Sequence, residues 1–158
     1  MSKQIPAHPD KKSISDLIGK IQREELILQP EFQRDFVWTP THMEKFIQTI
    51  LEGYPFPEIY ISQKGINLDT LATQNVIVDG QQRITTIKRY IEGTWKFEKN
   101  IPKFKDLDEQ DQTDFLNYDV TVRDLKDASP ETIIEIFKRR IETSNCFMVE
   151  IKYSILMS

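Results

Sequence analysis

One junction constrains this chain more than any other. The apolar run Val76-Ile77-Val78 breaks at Asp79-Gly80, and Ile84, Ile87, Tyr90 and Ile91 then follow at helical spacing, closed by Gly93. So short an apolar run fits a buried strand, and the later spacing fits an amphipathic helix. The first N–H groups of a helix lack intrahelical partners and carry the positive end of its dipole. A strand that turns directly into a helix therefore sets an anion-attracting end beside the strand terminus. Centred on Asp79-Gly80-Gln81-Gln82-Arg83, the junction predicts a site for a nucleotide or a nucleic-acid backbone.

The side chains at the junction suit that chemistry. Gly80 lets a ligand approach the backbone closely. Gln81 and Gln82 add donors, Thr85 and Thr86 add hydroxyls, and Arg83 adds a planar fork matched to phosphate. Asp79 is the candidate catalytic residue, placed to orient Arg83 or to hold a water or a metal ion. A structural alternative makes Asp79 the N-cap, Gly80 a tight turn and Gln81 to Arg83 a solvated first turn; spacing alone leaves the two readings level. Upstream, Arg34 lies among Phe32, Phe36 and Trp38 in a loop from Pro30. It is either stacked on one of those rings or a second cationic arm facing the same ligand. The pattern G-x-x-x-x-G-K-[ST] is absent, as are zinc-ligand spacing and H-N-H-like clusters, so no metal ligands are assigned.

Elsewhere strand and helix patterns interleave, which gives an α+β (mixed α/β) class. Residues 1–12 read as a mobile tail and 13–158 as one domain. Ser13 or Ser15 caps a first helix; Leu26 to Leu28 is a strand. Thr39 and Pro40 open a helix with Met43, Phe46, Ile47, Ile50 and Leu51 inward and Gly53 at its end. Glu58 to Ser62 and Thr94 to Glu98 read as strands, 63–74 as a hairpin connection, and Tyr118 to Val122 as an edge strand. Asp106 to Asn117 is an acidic stretch, helical or irregular, Ser129-Pro130 starts a last helix, and Phe147 to Met157 is an apolar tail.

Charge narrows the partners. The net charge of −4 argues against a domain that coats long duplex DNA, and favours a small anion held by a few groups. Weak, salt-sensitive binding to unmodified duplex is expected. No apolar run approaches a membrane span, no secretory signal is seen, and the single cysteine, Cys146, fits a reducing cytoplasm.

Ile77 to Ile87 resembles the D-G-Q-Q-R-x-T-T signature of the GmrSD-type restriction endonuclease N-terminal domain. Gln33-Arg34-Asp35-Phe36-Val37-Trp38 is similar to that family's Q-R-x-[FY]-V-W, and Gln48 to Ile61 to its helix-to-strand passage, with Thr49 where serine is usual. The three motifs run in order over residues 13–141. The resemblance implies a ParB/sulfiredoxin-like fold, a small mixed sheet with surrounding helices. It implies a nucleotide-binding, NTP-hydrolysing regulatory domain of a type IV restriction or phage-defence system acting on modified DNA. Arg34, Gly80, Gln81, Gln82, Arg83, Thr85 and Thr86 would bind a nucleoside triphosphate, with Mg2+, and Asp79 would serve catalysis. DNA would be met directly or through a partner nuclease. Near the C-terminus Glu142 stands where asparagine is expected, and no linker helices or H-N-H module follow, so the chain reads as a free-standing or truncated module without DNA cleavage of its own. The alternative is a non-catalytic DNA- or protein-binding module.

Overall fold

The computed structural model describes residues 8–28, 38–94, 100–136 and 138–139. The chain divides into two compact units, Met1–Asp127 and Ala128–Ser158. In the second, a helical run over 130–136 begins at the expected Ser129-Pro130 start, where Ser129 Oγ accepts from Thr132 N at 3.2 Å.

The first unit is α+β. Its elements are β1 (Pro9–Ser13), α1 (Ile14–Gln22), β2 (Leu26–Leu28), α2 (Pro40–Leu51), β3 (Ile59–Ile66), β4 (Thr73–Asp79), α3 (Gln81–Glu92), a 3-10 turn (Phe104–Asp106), α4 (Glu109–Leu116) and β5 (Asp119–Asp124). The strands form one mixed sheet in the order β1-β5-β3-β4-β2. β1 and β5 pair antiparallel, as do β3 and β4, whereas β5 with β3 and β4 with β2 are parallel.

One core holds the unit together. Ile14 and Leu17 of α1, Ile47 and Ile50 of α2, Ile84, Ile87 and Tyr90 of α3 and Phe115 of α4 meet Ile59, Ile77, Val120 and Val122 of the sheet. Burying one such side chain fully contributes about 1.5–3 kcal/mol, so this cluster fixes where α3 sits against β3 and β4. Tyr90 is packed edge-on against Phe104 and Phe115, and its hydroxyl donates to Pro102 O at 2.7 Å. Burial pushes that phenol up to about 12. Among the described residues no helix is long and apolar enough to cross a membrane.

Three sequence expectations change. Pro9 to Lys12, read as tail, pair with β5 from Pro9↔Arg123 to Lys12↔Val120. Their polar, mostly exposed side chains carry no apolar alternation, because backbone ladder bonds hold the strand and not burial. In consequence β5 is an interior strand and not an edge. Its buried Val120 and Val122 look the same in sequence whether one neighbour is present or two. β3 also runs beyond Ser62 to Ile66, drawing Gln63 and Lys64 into a hairpin with β4. The strand expected at Thr94 to Glu98, the aromatic loop before Trp38 and the apolar tail from Phe147 lie outside the described residues, apart from Thr94 itself.

The sheet also prepares the junction. Tyr60 pairs with Asp79 but the next residue, Ile61, pairs with Ile77, so Val78 is an extra residue on β4. A bulge of this kind bends its strand and re-aims the residues beside it. Here it lies directly before Asp79-Gly80.

Candidate functional site at the start of α3

Gly80 is itself the N-cap of α3, at φ 100° and ψ 13°. This corrects the structural alternative in which Asp79 caps the helix. A Cβ on Gly80 would lie 2.5 Å from Ile59 Cγ2 and 3.0 Å from Ile59 Cβ. Glycine is therefore required twice, by the left-handed backbone and by close packing on β3. No side-chain hydrogen bond caps α3, so its first turn keeps its positive end uncompensated by a cap.

Arg83 is folded back over that turn. Its Nη2 donates to Glu58 O at 3.0 Å and lies 4.0 Å from Asp79 Oδ2, and the guanidinium sits 6.0 Å from the centre of the Phe56 ring. The side chain is only 13% exposed. Burial lowers the guanidinium to about 10, against the opposing pull of the Glu58 carboxylate. Among the described residues its buried Nε has no hydrogen-bond partner. A desolvated cation with an unused donor is costly in isolation and suited to an anion that would satisfy it. Phe56 in turn stacks on Tyr118 at 5.5 Å and meets Phe46 edge-on at 4.9 Å, so the arginine rests on a rigid aromatic base.

Glu58 and Arg123 belong beside this group, and sequence reasoning missed both. Arg123 Nε donates to Glu58 Oε2 at 2.7 Å, and Tyr60 Oη donates to Glu58 Oε1 at 2.9 Å. The Glu58 hydrogen bond holds the Arg123 guanidinium above its ordinary value. Pro57-Glu58 hinted only at a strand start, and the alternation Val120-Thr121-Val122 hinted only that Arg123 leaves the core face. Neither pattern reveals that β3 and β5 are neighbours.

A comparison of the whole sequence with protein families gives a match over residues 14–154 to the GmrSD restriction endonuclease, N-terminal domain. The chain belongs to this family. A curated relative, the uncharacterized protein MJ0686 of Methanocaldococcus jannaschii, is 32% identical over 96 residues, covering 49% of this chain and 16% of that protein. The chain thus corresponds to a small part of that relative's length. No solved structure matches it.

Within this GmrSD N-terminal domain the residues from Asp79 to Thr86 separate by position. Asp79, Gly80 and Arg83 gather at the helix start. Gln82 reaches across to the residue before the α2 cap, with Oε1 accepting from Trp38 N at 3.1 Å. Thr85 lies half-buried along the helix. Gln81 turns inward: it is 5% exposed, and Nε2 donates to Ile77 O at 2.9 Å while its buried Oε1 has no partner. Thr86 is fully buried, and its hydroxyl donates to Gln82 O at 2.7 Å, which corrects its expected place on the ligand side. Helical periodicity explains this, since position 86 shares its face with buried Tyr90. Arg34 lies outside the described residues.

A cavity of about 460 Å³ opens elsewhere, where Ile50 and Gly53 at the end of α2 face Phe115 of α4 and Tyr118. Glu52, Asp111 and Asp114 also line it, which is the wrong charge for a phosphate, and no signature residue does. Among the described residues no three His, Cys, Asp or Glu side chains are grouped to hold a metal ion.

Proposed function

We propose that the start of α3 binds the phosphates of a nucleoside triphosphate, and that this binding regulates a restriction or phage-defence system acting on modified DNA. The carrying observation is the buried Arg83 guanidinium with its unpartnered Nε, set over a helix start that no side chain caps. The donor set fits an anion: helix N–H groups and a planar guanidinium fork. Asp79 holds its carboxylate toward Arg83, where it orients the guanidinium and accepts a proton or a hydrogen bond from an attacking water. Mg2+ needs few protein ligands when phosphate oxygens supply the rest, so a magnesium–nucleotide complex is the form expected to bind. The metal would neutralise phosphate charge; Arg83 and the helix start would position the chain. A ParB/sulfiredoxin-like architecture, part of this proposal, would accord with a ligand seated at this strand–turn–helix.

Titration of the protein with each nucleoside triphosphate, with and without magnesium, followed by a phosphate-release assay, tests the proposal. Saturable binding lost in Arg83→Ala supports it. Absence of binding to every nucleotide would refute it. Binding without phosphate release would favour a second reading, a non-catalytic regulatory module. The net charge of −4 supports a reading in which DNA is met through a partner or a local patch and not by this chain as a whole.

A further inference from the structure

Three strands bring a second arginine to the same place. Tyr60 of β3 pairs with Asp79 of β4 on one side and with Arg123 of β5 on the other. Residues paired directly across a sheet leave it on the same face, so Asp79, Tyr60 and Arg123 form one row. Glu58, just before β3, joins both arginines. Its carbonyl holds Arg83 at 3.0 Å and its carboxylate holds Arg123 at 2.7 Å. The two guanidiniums therefore flank a single residue at one end of the sheet.

They are not equivalent. The Arg83 side chain is 13% exposed, whereas those of Arg123 and Glu58 are 33% and 27% exposed. The Arg83 contact is to a main-chain carbonyl, which cannot leave. The Arg123 contact is to a carboxylate on a rotatable stem. The pair is partly exposed, so water screens it, and an exchange that also releases Glu58 from Tyr60 costs less than breaking a fully buried pair would. The Glu58 Oε2 atom occupies the position on Arg123 Nε that an oxygen of a phosphate would take, because both are anionic acceptors for a guanidinium donor.

We infer that Arg123 is a second anion-binding arm of the α3 site and that Glu58 is its gate, displaced from Arg123 when a chain of two or more phosphates binds. The inference rests on the proposed nucleotide reading and adds to it the selection of polyphosphate over monophosphate. A terminal monophosphate is satisfied by Arg83 and the helix start. A di- or triphosphate carries more charge and reaches further along the sheet end, where it competes with the single charge of Glu58. In the absence of ligand Glu58 shields Arg123 and keeps two cations from repelling each other.

The test is a set of affinities for nucleoside mono-, di- and triphosphates, measured with magnesium on wild type, Arg123→Ala, Arg123→Gln and Glu58→Gln, each with a thermal melt. Arg123→Ala is expected to weaken triphosphate binding by about 10-fold or more, the loss of a charge-assisted contact, and to leave monophosphate nearly unchanged. Glu58→Gln is expected to act in the opposite direction and tighten triphosphate binding several-fold, since an amide competes less with phosphate. A merely structural Glu58–Arg123 pair predicts that both variants weaken binding together, or change only the melting temperature; either result would overturn the gate. Arg123→Gln keeps the stem and should reproduce the Arg123→Ala pattern even where the alanine variant melts early. Should wild type bind triphosphate while both Arg123 variants bind it equally well, this inference fails and the nucleotide reading stands. Should wild type bind no nucleotide, both fail.

Discussion

α2 and α3 are both twelve-residue helices, and they begin in opposite ways. α2 starts with a full set of local devices. Thr39 Oγ1 accepts from His42 N at 3.3 Å, the His42 ring returns a bond to the cap, and Pro40 fills the first position. α3 starts on a left-handed glycine with no capping side chain, next to a bulge and a buried arginine. α1 and α4 follow the α2 pattern, with Ser13 and Asp108 as side-chain caps. The lesson is that a capped helix start is complete in itself, whereas the start of α3 is held by tertiary packing and leaves its electrostatic demand to be met by something else.

The largest test of that contrast is Gly80→Ala. The added Cβ meets Ile59 Cγ2 at 2.5 Å and the backbone stands at φ 100°. Left-handed backbone costs about 1–2 kcal/mol for an L residue and overpacking a further ~1–3 kcal/mol. A loss of roughly 2–5 kcal/mol in denaturant unfolding is expected from the two together. A loss below about 1 kcal/mol would mean that α3 does not start on Gly80 as described.

Arg83 comes next. Arg83→Ala should weaken nucleotide binding by about 10- to 150-fold, the value of a charge-assisted contact. Arg83→Lys should rescue only part of this, since a point charge cannot reproduce the fork. The apo protein should respond differently. Because burial lowers the guanidinium to about 10, its charge is a strain on the unliganded fold, and Arg83→Met, which keeps the stem over Phe56, should leave the melting temperature unchanged or raised. If Arg83→Met destabilises strongly while binding persists in Arg83→Lys, the residue is structural and the contrast between the two helix starts loses its functional meaning.

Thr39→Ala probes the capped helix. It should cost about 1 kcal/mol by removing one cap acceptor, and it should leave nucleotide affinity unchanged. A parallel loss of affinity would show that the two helix starts are coupled more tightly than a single hydrogen bond allows.

Much of the contrast was legible in the sequence. Thr39-Pro40 announced α2, and Val76 to Gly93 announced β4, the turn and α3, because apolar periodicity and caps are local signals. Three things were not. β1 is polar, and the ladder that makes it a strand is built with β5, more than a hundred residues away. Glu58 and Arg123 join the site only because β3 and β5 lie side by side, a topological fact with no local signature. Gln81 and Thr86 carried the right chemistry for a ligand site, but helix phase turned both toward the core, and a run of polar residues at a helix start does not show which of them face inward.

The smallest effect concerns Gln82, the side chain that ties one helix start to the other. Its Oε1 accepts from Trp38 N, the residue before the α2 cap, at 3.1 Å. Gln82→Glu keeps that acceptor and gives it a charge, in the first turn of α3 where the dipole favours an anion by about 0.3–1 kcal/mol. The unliganded protein should therefore gain a few tenths of a kcal/mol in unfolding free energy. The same carboxylate repels phosphate, so nucleotide affinity should fall, most for the triphosphate. The stability gain has a defined pH sign. The dipole and the Trp38 N–H depress the carboxyl in the folded state, so the gain is present above the unfolded value of about 4.3 and is lost as the pH falls through the depressed one. Paired unfolding curves at neutral and acidic pH, beside nucleotide titrations, read both halves. Affinity that does not fall would show that phosphate is not held beside this turn. Stability that falls at neutral pH would show that the start of α3 has no uncompensated positive end, and the difference between the two helices would be one of shape alone.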